Sequence, residues 1–150
     1  MDNLEKEAYI FGSIFIIANR LQSLGDKMDH NITIKQWLFI ATVLKSKIEN
    51  PTISEIANMI GYSRQNVKKT ALILEKQDFL KLVKDEKDER VVRIVLTSKC
   101  KEYFKTRANL ELDFMRNVFK EFDINLTEGL FKGLKKLENN IIFMENENER

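Results

Sequence analysis

The sequence predicts a mainly α-helical protein with one short β-hairpin, and three observations support this fold class. Most of the chain carries apolar residues at helical spacing, and its 150 residues include only one proline and five glycines. Residues 52–74 have the pattern of a short helix, a glycine turn and a second helix. Two short alternating stretches follow at 80–84 and 91–96, with a charged turn between them. This order predicts a winged helix-turn-helix with further helices on both sides.

The composition favours a cytoplasmic protein without disulfides or membrane spans. The single cysteine, Cys100, excludes an intrachain disulfide and fits a reducing compartment. No apolar run approaches the ~20 residues of a membrane span, and the first residues are acidic, unlike the basic start of a secretory signal. The sequence has no glycine-rich phosphate loop and no paired carboxylates in an apolar frame, so neither an enzyme nor a cofactor is expected.

Positive charge is concentrated in the middle of the chain. The net charge is only +2, which by itself does not indicate a nucleic-acid partner. Residues 45–107, however, hold 15 lysines and arginines against 9 acidic residues, whereas the two ends hold 10 against 14. The excess around the helix-turn-helix is the electrostatic pattern expected of a surface that binds phosphates.

The first predicted helix covers residues 4–24 and is apolar over most of its circumference. Such a helix must be covered on more than one side, and a second copy of the chain can supply one of them. Gly25 is expected to end the helix, and residues 26–31 to form a polar loop. Asp26, Asp29 and His30 in this loop are better explained as solvated residues than as metal ligands, so no metal site is expected.

The second helix is predicted to begin after a Thr33 cap and to carry Trp37 into the core. We expect the indole N–H to bond a backbone carbonyl. Asn50 and Pro51 then interrupt the chain before the helix-turn-helix.

The helix-turn-helix is predicted from its caps and its apolar spacing. Thr52 or Ser54 can cap the first of its helices, Gly61 can end that helix in a left-handed conformation, and Ser63 can cap the second helix. Polar and basic residues then face away from the apolar side of the second helix. Amides suit adenine edges and cations suit phosphates or guanine. The candidate DNA-binding residues of this helix are Ser63, Arg64, Gln65, Asn66, Lys68 and Lys69.

The wing is predicted as a hairpin of strands 80–84 and 91–96. Near its tip, Arg90 can reach a phosphate or the minor groove, and Asp88 can hold that arginine by a charge-assisted pair. Lys84, Lys87 and Arg93 fit two roles equally well, as phosphate contacts or as solvated charges.

The last third of the chain is predicted to form two helices suited to dimerisation. Thr97 is expected to cap a long helix from about Ser98 to Phe122, and Thr127 to cap the last helix. The last helix carries a heptad stripe typical of helix pairing, formed by Leu130, Leu134, Leu137, Ile141 and Met144. A polar, frayed tail is expected from Glu145 to Arg150. We therefore divide the chain into an N-terminal dimerisation helix (1–30), a winged helix-turn-helix (31–97) and C-terminal dimerisation helices (98–150).

The order of these elements resembles the MarR family of winged helix-turn-helix transcriptional regulators. The stretch TISEIANMIGYSRQNVKKTALILEKQDFL matches the apolar frame of the family's helix-turn-helix, and KDEKDERVVRIVLT resembles its wing. The family's wing motif Asp-x-Arg falls here on Asp88 and Arg90. The resemblance implies a homodimer that places two helices in successive major grooves of a palindromic operator. It also implies a ligand cleft between the dimer arms and the DNA-binding lobe. The leading hypothesis is a dimeric repressor that leaves DNA when a small ligand changes the spacing of the two DNA-reading helices.

Some positions depart from the family pattern and leave other functions open. Glu89 stands where the family often has an arginine, and Gln65, Asn66 and Lys68 replace small hydroxyl residues, so an operator cannot be taken from relatives. Phe11, Phe15, Trp37 and Phe104 fit core packing, the more frequent role, or a cleft for a small aromatic or anionic ligand.

Two alternatives to a ligand-released repressor remain. In one, a redox sensor of the same fold uses Cys100, whose place in the first turn of a helix lowers a thiol pKa. In the other, the winged helix is a protein-interaction module that does not bind DNA.

Overall fold

A computed structural model, which describes Met1–Asn148, confirms the mainly helical fold class with a two-stranded hairpin. The elements in chain order are α1 (Asn3–Met28), α2 (Ile34–Lys45), α3 (Ile53–Ile60), α4 (Arg64–Lys76), β1 (Leu80–Lys84), β2 (Val92–Leu96), α5 (Ser98–Thr106), α6 (Ala108–Val118) and α7 (Ile124–Asn148). Residues 1–104 form one compact unit, and a second unit begins at Lys105.

The core of the first unit lies where α2, α3 and α4 meet the inner face of the hairpin. Its most deeply buried side chains include Phe39, Ile40, Ile56, Val67, Ala71, Leu74, Leu80 and Ile94. Val67, Ala71 and Leu74 recur along α4 at helical spacing and are each at most 1% exposed. The core therefore holds α4 by one side and leaves its opposite side in solvent.

Helix α1 is longer than the sequence predicted, and the expected end at Gly25 is wrong. The helix continues to Met28, and Gly25 is buried inside it. A Cβ at Gly25 would lie 2.4 Å from Cδ1 of Ile34, so glycine is needed there for close packing and not for a turn. Asp26 is helical as well, and its carboxylate accepts a hydrogen bond of 2.7 Å from the Ile34 amide at the start of α2.

Substituting Gly25 by alanine tests this close contact. We expect Gly25→Ala to lower the free energy of unfolding by roughly 1–3 kcal/mol, because the new methyl group overpacks the site against Ile34. In the same helix, Gly12 has no heavy atom within 4 Å of an added Cβ. Gly12→Ala should therefore raise stability by about 0.5–1 kcal/mol. Urea denaturation of both variants checks the pair, and equal effects would contradict the packing account.

The hairpin forms from the two predicted strands and makes a contact that the sequence did not predict. Leu80 pairs with Leu96 and Lys84 with Val92, so the second strand begins one residue later than expected. The Ile94 amide donates to the Pro51 carbonyl at 2.8 Å, and Thr52 forms an isolated bridge with Arg93. Residues 51–52 thus join the wing to the start of α3 instead of only interrupting the chain.

Both predicted C-terminal helix boundaries need correction. The predicted helix 98–122 is interrupted at Arg107, which has φ −93° and ψ 0°. The sequence has no proline or glycine near this break, and its apolar pattern continues across it. One long helix was predicted for that reason. The last helix begins at Ile124, where Asp123 and not Thr127 is the cap: its carboxylate accepts from the Leu126 amide at 2.7 Å. Helix α7 includes residues 145–148, contrary to the predicted frayed tail, while Glu149 and Arg150 lie outside the described residues.

Large apolar side chains remain exposed along α1 and α7. Phe11 and Phe15 on α1 are 67% and 59% exposed. On α7, the predicted heptad residues Leu130, Leu134, Leu137, Ile141 and Met144 are all exposed as well. Among residues 1–148, no helix combines the length and the apolar character needed to cross a bilayer.

Candidate nucleic-acid interface

The start of α4 is fixed by two local devices that the sequence predicted. Gly61 ends α3 with φ 76°, a left-handed conformation that costs glycine little. Ser63 caps α4 by accepting a hydrogen bond from the Asn66 amide at 3.3 Å. Of the two cap candidates for α3, Thr52 has this role and forms a capping box with Glu55. These caps set the angle of α4 against α3 and hence the direction of its exposed side.

The six predicted residues of α4 and its cap lie together on the exposed surface. Ser63, Arg64, Gln65, Asn66, Lys68 and Lys69 are all exposed, whereas Val67 between them is buried. They occupy the first two turns, where the positive end of the helix dipole also favours an anion. The surface combines two amides and three cations, which are the groups that contact base edges and phosphates in a major groove.

The wing tip holds its arginine as the sequence predicted. Arg90 makes a bidentate pair with Asp88, with Nε to Oδ1 at 3.0 Å and Nη2 to Oδ2 at 3.1 Å. The Asp88 carboxylate also accepts from the Arg90 amide at 3.1 Å. These bonds lower the pKa of Asp88 and raise that of Arg90, so both groups stay charged. The Arg90 side chain is 91% exposed and is free to meet a ligand on its outer side.

Arg93 differs from the other basic residues of the wing. Its guanidinium binds the carboxylate of Asp85, and its Nη1 donates to the Asn50 carbonyl at 3.2 Å. The hydrogen bond from Arg93 lowers the pKa of Asp85 to about 2, with further contributions from the amides of Lys87 and Asp88. The pair therefore stabilises the wing above pH 4, and this contribution is lost as the pH falls towards 2. Neither sequence-based role for Arg93 included an ion pair of this kind.

The other wing lysines remain at the surface. Lys87 is exposed at the tip, and Lys84 lies 3.9 Å from Glu89 in a pair exposed on both sides. Exposed pairs of this kind contribute little to stability, so both lysines remain available to an anion.

The four aromatic residues predicted for a ligand cleft fall into two environments. Phe11 and Phe15 are exposed on α1 and contact each other edge to face, with ring centroids 5.3 Å apart. Trp37 and Phe104 instead pack against the core, which agrees with the alternative role that the sequence left open for them.

Cys100 does not have the environment of a reactive thiol. The residue is 1% exposed within the core, and burial raises the pKa of its thiol to about 11, although Lys101 acts in the opposite direction. The expectation that the helix dipole would lower this pKa is wrong, because desolvation of the thiolate is the larger effect.

Thiol chemistry tests this assignment directly. We expect Cys100 in the folded protein to react with a disulfide reagent at pH 8 about 100-fold more slowly than in urea, since burial reduces both access and the thiolate fraction. Peroxide should leave DNA affinity unchanged in the native chain and in Cys100→Ser. A peroxide-dependent loss of affinity that the serine variant abolishes would contradict the burial account.

Comparison with known proteins identifies the family. The sequence signature of the family described as transcriptional regulator SarA/Rot matches residues 23–107, more than half of the chain. The chain belongs to the SarA/Rot family of transcriptional regulators. The matched residues include all of α2 to α5 and both strands, so the exposed side of α4 and the whole wing lie within the family region. No curated protein matches this SarA/Rot regulator in sequence.

Solved structures show that this SarA/Rot regulator has the MarR-type fold. A MarR/EmrR family regulator from Acinetobacter sp. ADP1 matches with a TM-score of 0.77 at 22% identity, over 93% of this chain and 98% of that chain. Reduced AbfR bound to DNA matches at 0.75 and 19%, over 93% and 96%. The S. aureus MepR–DNA complex matches at 0.75 and 16%, over 89% and 96%. The chain is thus a transcriptional regulator of the SarA/Rot family whose fold is of the MarR type.

Proposed function

We propose that the protein is a sequence-specific, homodimeric regulator that binds double-stranded DNA through α4 and the wing. The observation that carries this proposal is the exposed amide and cation surface on the first two turns of α4. The wing adds the exposed Arg90 held by Asp88. Two similar folds are known in complex with DNA, the AbfR and MepR structures. In this arrangement α4 reads base edges and the wing binds the phosphate backbone or the minor groove.

The exposed apolar surfaces of α1 and α7 support the dimeric part of the proposal. Large apolar side chains that stay exposed along a helix are typical of interaction sites. The heptad spacing of the α7 residues suits pairing with another helix. A twofold dimer presents two copies of α4, so its operator is a palindrome with half-sites about one helical turn, roughly 34 Å, apart.

Repression follows from the size of such a complex. A dimer that covers a promoter blocks the polymerase. A ligand releases the dimer from DNA only if it binds more tightly to a state in which the spacing of the two α4 helices does not fit the operator. We propose a small aromatic or anionic ligand for this role. The exposed pair Phe11 and Phe15 supports it, while the core packing of Trp37 and Phe104 does not. We propose that the protein acts in the cytoplasm, where it meets its DNA.

Two substitutions on the same face of α4 test the proposal. Gln65→Ala should relax preference at particular base pairs by roughly 1–3 kcal/mol, because an amide discriminates between base edges. Lys68→Ala should instead weaken binding to all duplexes and reduce the slope of log affinity against log salt by about 1. Competition binding on a set of single-base operator variants, at two salt concentrations, measures both effects.

Glu75→Gln, two helical turns beyond Lys68, changes a charge outside the first two turns of α4 and retains an oxygen that can accept from the Leu82 amide at 2.8 Å, so it serves as the control for an unspecific charge change. A uniform loss with Gln65→Ala would contradict base recognition by that side chain. An unchanged affinity in both variants would contradict the placement of α4 on DNA.

A further inference from the structure

One side chain of the wing connects the hairpin to the segment that precedes α3. Arg93 extends from β2, binds the carboxylate of Asp85 directly after β1, and donates to the Asn50 carbonyl at 3.2 Å. The Asp85 side chain is only 13% exposed and that of Arg93 37%. The ion pair is therefore shielded more than the other pairs of the wing, and its geometry links two strands and the preceding loop at one point.

The same carboxylate also organises the wing tip. Oδ1 of Asp85 accepts hydrogen bonds from the amides of Lys87 at 2.8 Å and Asp88 at 3.1 Å. Asp88 in turn holds the guanidinium of Arg90. A continuous series of bonds thus runs from Asn50 through Arg93, Asp85 and Asp88 to Arg90.

We propose that Asp85 and Arg93 are positioning residues, a wing clamp that fixes Arg90 relative to α4 without touching DNA. The inference rests on the proposed DNA-binding function and adds two residues to it. The clamp is anchored on Asn50, two residues before the cap of α3, and α3 packs on α4. Rotation of the tip would break the bond to Asn50, so the clamp restricts the angle between the wing and the helix-turn-helix.

For Asp85→Asn, the clamp predicts a change in DNA affinity that is opposite in sign to the change expected from simple electrostatics. Neutralising an acidic residue beside DNA should strengthen binding, because one repulsion of the phosphates is removed. Asp85→Asn should instead weaken binding about tenfold, the loss expected when Arg90 no longer reaches its contact. The asparagine oxygen can still accept from the two tip amides, so the variant removes the ion pair and retains the turn. Glu86→Gln is the matched control, since Glu86 is exposed and adjacent, and its neutralisation should leave affinity unchanged or raised.

A double-mutant cycle with Arg90 shows how the clamp acts. Asp85→Asn and Arg93→Met should each weaken binding of the native chain about tenfold. Neither should weaken binding further in an Arg90→Ala background, because both act through Arg90. If Arg93 contacted a phosphate itself, Arg93→Met would weaken the Arg90→Ala protein as well. That result, or wild-type affinity in Asp85→Asn, would overturn the proposal.

Backbone dynamics test the clamp without DNA. In ¹⁵N relaxation measurements on the dimer, residues 86–91 should become more mobile in Asp85→Asn and Arg93→Met and stay ordered in Glu86→Gln. Unchanged order in all three variants would overturn the clamp. If the wild-type protein bound no duplex, the proposed function would fail, whereas the relaxation data would still decide whether the clamp holds the tip.

Discussion

Replacing Leu134 by aspartate is expected to convert the protein from a dimer to a monomer and to lower its DNA affinity by about 100-fold or more. Leu134 lies in the middle of the exposed heptad stripe of α7 and is 48% exposed in the single chain. A carboxylate there would lose its hydration on pairing without gaining a partner. A monomer retains α4 but binds each half-site independently, so the second half-site no longer adds to affinity. Sedimentation equilibrium and duplex binding measure the two losses.

A neighbouring position supplies the control for this experiment. Asn139→Asp adds the same charge to α7 between heptad positions 137 and 141, on the polar side of the helix. It should leave both the dimer and DNA affinity close to those of the native chain. A dimeric Leu134→Asp protein with native affinity would show that this stripe is not the dimer interface.

The second large effect is expected in the core that holds α4. Leu74→Ala should lower the free energy of unfolding by about 2–5 kcal/mol, because Leu74 is fully buried and its truncation leaves a cavity. Leu72, two residues earlier in the same helix, is 43% exposed. Leu72→Ala should cost only about 0.5 kcal/mol or less. Denaturant titration compares the two, and similar losses would contradict the orientation of α4.

Local features of the fold were the ones that the sequence predicted well. The caps Thr33, Thr52 and Ser63 and the turn glycine Gly61 all act within four residues, so their partners stand beside them in the sequence. The inward side of α4 was predicted for a similar reason, because helical geometry alone determines which residues share a face.

The errors arose where distant residues or unmarked breaks decide the structure. Glycine is common at helix ends, so Gly25 was predicted to end α1. Only the close approach of the Ile34 side chain shows that glycine is needed there for packing. No proline or glycine stands near the helix break at Arg107, so the sequence carries no local signal of the break. Asp123 caps α7 four residues before the predicted Thr127, and both residues are normal helix caps.

The candidate site shows the same division between local and distant contacts. The Asp88–Arg90 pair spans two residues and was predicted, whereas the contacts of Arg93 with Asp85 and Asn50 span 8 and 43 residues. A sequence pattern cannot show which carboxylate a basic strand residue meets. The bases that Gln65 and Asn66 prefer are likewise set by contacts in the complex with DNA, and not by the order of residues along α4.

Selection of bound duplexes from a random pool, at two salt concentrations, tests the central claim most directly. The account predicts enrichment of a palindrome whose half-sites lie about one helical turn apart, with affinity that falls steeply as salt increases. The same selection with Lys68→Ala should return the same palindrome at lower affinity. No enrichment of any sequence at low salt would contradict DNA recognition and would favour a winged helix that binds protein instead.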